Sequence, residues 1–222
     1  MTVANNHALD HGPFVMNDTL SHLSRAGIQY VGVQQVMNDS IQNPVIVHDP
    51  RMTVAFLGFD DINNVSRYSA SDYPRPWKAS EDAVIQAVTR ARSQADVVVV
   101  TFHFGDEYTF THSGRQEQLS HAAADAGADI IIGHHPHVIQ DIEVYNTSII
   151  AYSLGNFIFD MGGKGVREGA VLTVEIDPTT KQIQGHSIEK VTQNAQFQPR
   201  PGVAGTILSY YDRNLVRLYA IV

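Results

Sequence analysis

The chain has 222 residues, 43% hydrophobic and 17% charged, a composition that suits one large folded domain with a sizeable core and excludes a disordered chain. Its formal net charge of -8 argues against a nucleic-acid partner held through phosphates. With no cysteine there is neither a disulfide nor a thiolate ligand, so any metal would take nitrogen and oxygen donors.

No apolar run approaches transmembrane length, and Met1-Thr2-Val3-Ala4-Asn5-Asn6-His7 lacks the pattern of a signal peptide. The expectation is a chain that carries no export signal or membrane anchor of its own. From Pro13 to Ala26 apolar residues recur at helical spacing and stop at Gly27. Ile28 to Val33 reads as a short strand, and Pro44–Val47 and Thr53–Phe59 as a hairpin around Asp49-Pro50-Arg51. Asp60 to Pro76 is polar and reads as a long loop. Ser80 can cap a helix to about Ala95, with Val84, Ala87, Val88 and Ala91 on one face. Val97–Phe102 is an unbroken apolar run, as expected of a strand buried on both faces. A helix over Gly114–Ala126 ends at Gly127, and a strand over Ile130–Ile132 follows. Ser148–Tyr152, Gly169–Ile176 and Ile183–Val191 have the look of antiparallel sheet, and Leu208, Tyr211, Leu215 and Leu218 predict a helix over Ile207–Val222. Helix–strand alternation followed by a β-rich third predicts an α/β sandwich with both sheets covered by helices.

Chemistry concentrates where predicted strands end. Ile130–Ile132 stops at Gly133 and delivers His134, His135 and His137 around a stiffening proline, Pro136. Imidazole is the commonest neutral ligand of transition metals, although histidines in a turn can also be merely solvated. His103, followed by Gly105, Asp106 and Glu107, leaves the Val97–Phe102 strand. Asn5-Asn6-His7-Ala8-Leu9-Asp10-His11-Gly12 precedes the first helix, where a cap would explain one Asn or Asp but not the whole set. Ser153 to Asp160 places Asn156 and Asp160 at another strand exit, where both could equally be turn formers. In an open α/β sheet such exits converge on one rim. Four imidazoles with carboxamide and carboxylate oxygens suit zinc, iron or manganese, and two such ions can clamp an in-line displacement at phosphate.

Taken together, Ala4–Gly12, His103–Tyr108, Ala126–Val138 and Ala151–Asp160 resemble the CapA family of poly-gamma-glutamate capsule-biosynthesis proteins, within the calcineurin-like metallophosphatase superfamily. The resemblance runs from Val3 to about Val191 and fades beyond. It implies one metallophosphatase-like domain over 1–222, a sandwich of two mixed β-sheets flanked by helices. It implies metal ligands at Asn6, His103, His135 and His137, with His134 the alternative to His135, since one extra residue separates Gly133 from the pair. His7 falls on the candidate general acid with Asp10 beside it, and Glu107, Asn156 and Asp160 are further possible site residues. The implied chemistry is hydrolysis, with manganese, iron or zinc activating water in a two-metal site and His7 protonating the leaving group. The implied substrate is polyglutamate or a phosphate ester, the implied partner a membrane-bound polyglutamate synthase, and the implied location the cell envelope. The family also has an earlier strand ending in Gly-Asp, whose aspartate is a ligand, and an N-terminal anchor. Neither stands before Asn5 here, so the expectation is a truncated copy: a fragment, a mis-started reading frame or a degraded form with weak turnover. A non-catalytic envelope protein assisting polyglutamate synthesis is the competing expectation. An amidohydrolase-like barrel also uses His-x-His, but near its N-terminus, whereas here the pair lies past mid-chain.

Overall fold

Four consecutive valines, Val97–Val100, have no polar side to show to water, and the chain buries them on both faces of a sheet. The computed structural model describes residues 1–34, 41–62, 73–160, 162–163, 165–201 and 216–220. Its helices are α1 (Pro13–Arg25), α2 (Glu81–Arg92) and α3 (Gly114–Asp125). Its strands are β1 (Val33–Gln34), β2 (Val45–Asp49), β3 (Met52–Asp60), β4 (Arg75–Pro76), β5 (Val97–His103), β6 (Ile130–His134), β7 (Ile142–Tyr145), β8 (Ser148–Ala151), β9 (Glu168–Ile176), β10 (Ile183–Gln193), β11 (Pro199–Pro201) and β12 (Val216–Ala220).

Three layers result. A six-stranded mixed sheet runs β2-β3-β5-β6-β8-β7, with β3, β5, β6 and β8 parallel and the edge strands β2 and β7 antiparallel. A four-stranded antiparallel sheet runs β11-β10-β9-β12. On one face of the mixed sheet, Leu57, Val98, Val100, Phe102 and Ile131 pack against Val84, Ala87, Val88 and Ala91 of α2 and Leu119 and Ala123 of α3. On the other, Val54, Val97, Val99, Ile130 and Ile132 meet Leu172, Val174 and Ile176 of β9 and Val216 of β12. Burying one such aliphatic side chain contributes about 1.5–3 kcal/mol, so these two apolar layers carry the fold. Helix starts follow their local chemistry. Ser80 accepts from the Ala83 backbone N–H at 3.2 Å, and Ser113 and Gln116 form a reciprocal capping box.

The parallel register sets the functional edge. Asp60 pairs with His103, and His103 pairs with His134, at the carboxyl ends of β3, β5 and β6. Three polar side chains thus arrive side by side where the chain leaves the sheet, the place where open α/β sheets hold ligands.

The α/β sandwich, the three helices through Ala126, the β2–β3 hairpin and strands β5, β6, β9 and β10 agree with the sequence reading. Four details differ. The C-terminal stretch from Val216 to Ala220 is strand, not helix: Val216, Leu218 and Ala220 alternate and pair with Ile176, Val174 and Leu172 of β9, which offers a ladder a helix could not use. The rest of that expected helix lies outside the described residues. Ser148–Ala151 runs parallel to β6 and is antiparallel only to β7, a strand the sequence reading did not identify. Within Ile28–Val33 only the end is paired, through the Thr2–Val31 bridge and through β1 against β4. Part of the expected 60–76 loop, residues 63–72, lies outside the described residues. Finally, α2 and α3 cover one face of the mixed sheet, whereas His186–Lys190 of the antiparallel sheet is exposed. Among the described residues no helix is long and apolar enough to cross a membrane.

Gly133 marks the tightest point of the mixed sheet. A Cβ there would run into the Tyr152 carbonyl oxygen and the Phe104 ring, both buried and unable to retreat. Gly133→Ala is expected to cost about 1–3 kcal/mol as an overpacked core position. The measurement is the urea unfolding midpoint at unchanged slope, and a midpoint equal to that of the parent would show that β6 can shift away from β8.

Candidate metal centre

Four loops meet at the carboxyl edge of the mixed sheet, and hydrogen bonds join them. The 5–12 loop reaches β5 through Asn6, whose Oδ1 lies 2.8 Å from His103 Nε2. The loop after β5 reaches the loop after β6 through the Tyr108 N–H, which donates to the Pro136 carbonyl at 2.8 Å. The loop after β6 reaches the loop after β8 through His137 Nδ1, 2.9 Å from Asn156 Oδ1. His103 ends a strand and is fixed by its ladder, whereas His135 and His137 are held by strained backbone. His135 has φ 107°, His137 φ 60° and Tyr108 φ 63°, a region that costs a residue other than glycine of order 1–3 kcal/mol. The ladder, Pro136 and the cross-loop hydrogen bonds over-determine these conformations.

Within this edge the ligand atoms of Glu107, His135 and His137 all lie within 4.8 Å of one another. The His103 ring lies 4.7 Å from that of His135, between centroids, so the Asn6–His103 pair abuts the same cluster. Burial, then the neighbouring imidazoles His134, His135 and His137, holds His103 far below the usual histidine range. Burial, followed by His135, pushes His134 down to about 4. Burial also lowers His135, against an opposing pull from Glu107. These three rings are therefore neutral at neutral pH and keep a lone pair, the form a metal requires. Among the described residues the buried His103 Nδ1 has no hydrogen-bond partner. A desolvated imidazole nitrogen on a ring packed against those of His134 and His135 suits a borderline divalent ion.

His7 stands at the rim with its Nδ1 2.7 Å from Asp10 Oδ2, and both side chains are exposed. The carboxylate can only accept, so Nδ1 carries the proton and Nε2 is the free nitrogen. His134 takes a different path from its neighbours. It shares the inter-sheet face of β6 with Ile130 and Ile132 and, with Val99, Thr101 and Phe56, lines an apolar cavity of about 530 Å³. Asn156 is buried behind His137, and Asp160 is exposed and outside the Glu107–His135–His137 group. Asp60, which is not among the sequence-derived candidates, also lies at this edge. Its carboxylate is 1% exposed, is paired with Lys78 Nζ at 2.6 Å and acts electrostatically on His135. The signal was available: Asp60 ends the apolar run Val54–Phe59 just as His103 ends Val97–Phe102.

The family model described as bacterial capsule synthesis protein PGA_cap matches residues 1–161. The chain is 40% identical over 169 residues to the PGA biosynthesis protein CapA of Bacillus subtilis (strain 168), covering 76% of this chain and 44% of that protein. It is 36% identical over 204 residues to the capsule biosynthesis protein CapA of Bacillus anthracis, covering 86% of this chain and 49% of that protein. It thus spans about half the length of the curated relatives it matches. Among solved structures, a novel phosphatase from Mycoplasma pneumoniae aligns with a TM-score of 0.55 over 83% of this chain and 70% of that one, and at 11% identity the likeness is one of fold. That fold is metallophosphatase-like. With its motifs, its fold and 161 residues under the family model in agreement, the chain belongs to the bacterial capsule synthesis PGA_cap family, the CapA family.

Proposed function

We propose that this chain is the metal-binding, metallophosphatase-like domain of a poly-gamma-glutamate capsule-biosynthesis protein, acting as a phosphoesterase-type hydrolase at the cell envelope. The observation that carries the reading is the convergence of Glu107, His135 and His137, with Asn6 and His103 beside them, on one strand-end rim. We assign Asn6, His103, His135 and His137 as metal ligands, with Glu107 as a further oxygen donor. A divalent transition ion held there (manganese, iron or zinc, singly or as a pair) would supply Lewis-acid polarisation of a phosphoryl oxygen and a low-pKa water.

The chain's own residues do the rest. Asp10 holds the His7 ring through Nδ1; the doubly protonated ring then gives its Nε2 proton to a leaving oxygen and returns to the neutral Nδ1–H form. Half of Tyr108 and two-fifths of Phe159 are exposed, and both rings flank His137. They give the substrate apolar walls and limit the approach of water. Polyglutamate or a phosphate ester is the substrate class we assign, and a membrane-bound polyglutamate synthase the partner. The polyglutamate reading is supported by the family and by the names of the Bacillus relatives, and the phosphate-ester alternative by the metallophosphatase-like fold.

Two outcomes are expected. Protein purified without chelator and dialysed against manganese should retain at least one ion by elemental analysis. His135→Ala or His137→Ala should weaken that affinity by more than about tenfold, the lower end of what even indirect support of a ligand is worth. Retention unchanged in both variants would remove the centre from these residues. With manganese supplied, His7→Ala should lower kcat on bis-p-nitrophenyl phosphate by about 10²–10⁴-fold at unchanged manganese content, as loss of a general acid does. Equal turnover in parent and variant would free His7 of that role. Full manganese occupancy without turnover in the parent would favour a non-catalytic accessory role on the same scaffold.

A further inference from the structure

The sequence groups Asn156 with possible site residues, but its side chain stands behind a ligand rather than among the ligands. Asn156 is 6% exposed. Its Nδ2 donates to the Val166 carbonyl at 2.9 Å, and its Oδ1 lies 2.9 Å from His137 Nδ1. Flipping the amide would set Oδ1 against the Val166 carbonyl, acceptor to acceptor, and Nδ2 against the ring. The Val166 carbonyl therefore fixes which end of the amide faces His137. An amide oxygen can only accept, so the proton of the neutral imidazole must sit on Nδ1 and the lone pair on Nε2.

The backbone of Asn156 is equally constrained. Its N–H donates to the Glu168 carbonyl at 3.1 Å, and its carbonyl accepts from Gln193 Nε2 at 3.0 Å. Glu168 opens β9 and Gln193 closes β10, so both anchors belong to the antiparallel sheet. That sheet comes close enough only because β9 has a glycine at this point. A Cβ on Gly169 would lie 2.5 Å from the Asn156 carbonyl oxygen. The antiparallel sheet, which contributes none of the assigned ligands, thus reaches the centre through one carboxamide.

We infer that Asn156 is a positioning residue that locks His137 in its Nδ1–H tautomer and dedicates Nε2 to metal binding. The inference rests on the assignment of His137 as a ligand, but its first half is readable without any metal. Left without a partner on Nδ1, a neutral histidine ring favours the Nε2–H form, which has no lone pair on the nitrogen facing the centre. Asn156→Leu removes the acceptor. Asn156→Asp restores one, since a carboxylate behind a ligating histidine serves the same purpose. Gly169→Ala leaves the amide intact and displaces it.

The experiment uses long-range ¹H–¹⁵N correlation spectra of histidine-labelled, metal-free protein, with the His137 signals assigned by their loss in His137→Gln. Zinc affinity is then measured by competition with a chromophoric chelator. The parent should show His137 as Nδ1–H. Asn156→Leu and Gly169→Ala should shift it toward Nε2–H and weaken zinc binding by about 10–100-fold, while Asn156→Asp recovers most of both. An Nε2–H ring in the parent would overturn the inference, whatever the variants' stability. So would an unchanged tautomer and zinc affinity in a folded Asn156→Leu protein. A parent that shows the Asn156-dependent Nδ1–H ring but takes up no zinc would overturn the metal-centre reading and leave the tautomer control by Asn156 standing.

Discussion

The parallel register of β5 between β3 and β6 is the constraint on which the rest of the molecule depends. Once Val97–Val100 are buried on both faces, β5 cannot slip by a single residue without turning its neighbours' side chains to the wrong layer. The same register that satisfies the core delivers Asp60, His103 and His134 to adjacent positions on one edge. Packing energy and site geometry are therefore specified together. His103 faces the inter-sheet side because Val97 and Val99 do, and His135 emerges beyond the sheet because Gly133 and His134 complete β6 before it.

Crowding four imidazoles at that edge sets its electrostatics. Burial disfavours the charged form of His103, His134 and His135, and a proton on any one ring makes a second charge on its neighbours less favourable. Among the described residues, the carboxylate grouped with the pair within 4.8 Å is Glu107, which comes from the other loop. Such a site repels protons and retains lone pairs, and strained backbone at His135, His137 and Tyr108 aims them. The strain is held by hydrogen bonds between loops rather than within them. Loss of any one loop contact should therefore loosen site residues that it does not touch directly.

Much of this was legible in the sequence because the responsible signals are local. An apolar run that ends in His103 or in Gly133-His134-His135 announces both a buried strand and a polar exit, and Ser80 and Ser113 announce helix starts. The parts that were not legible depend on partners distant in sequence. Val216–Ala220 alternates in period two, yet Leu208, Tyr211, Leu215 and Leu218 gave a helical spacing that the β9 ladder overrides at its C-terminal end. The separation of His134 from His135 follows from the pleat of β6, which cannot be known until its last residue is known. Asn156 looked like a ligand or a turn former because nothing in its neighbourhood reveals that Val166, Glu168 and Gln193 hold it facing His137.

The most direct measurement is electron spin echo envelope modulation on protein loaded with one equivalent of manganese(II). It reads nitrogen nuclei coordinated to the ion. Modulation from directly bound imidazole nitrogen in the parent, reduced in His135→Ala and again in the His135→Ala, His137→Ala double variant, is the expected result. A bound manganese ion with no nitrogen modulation, or with modulation indifferent to both substitutions, would contradict a centre built on these strand-end histidines.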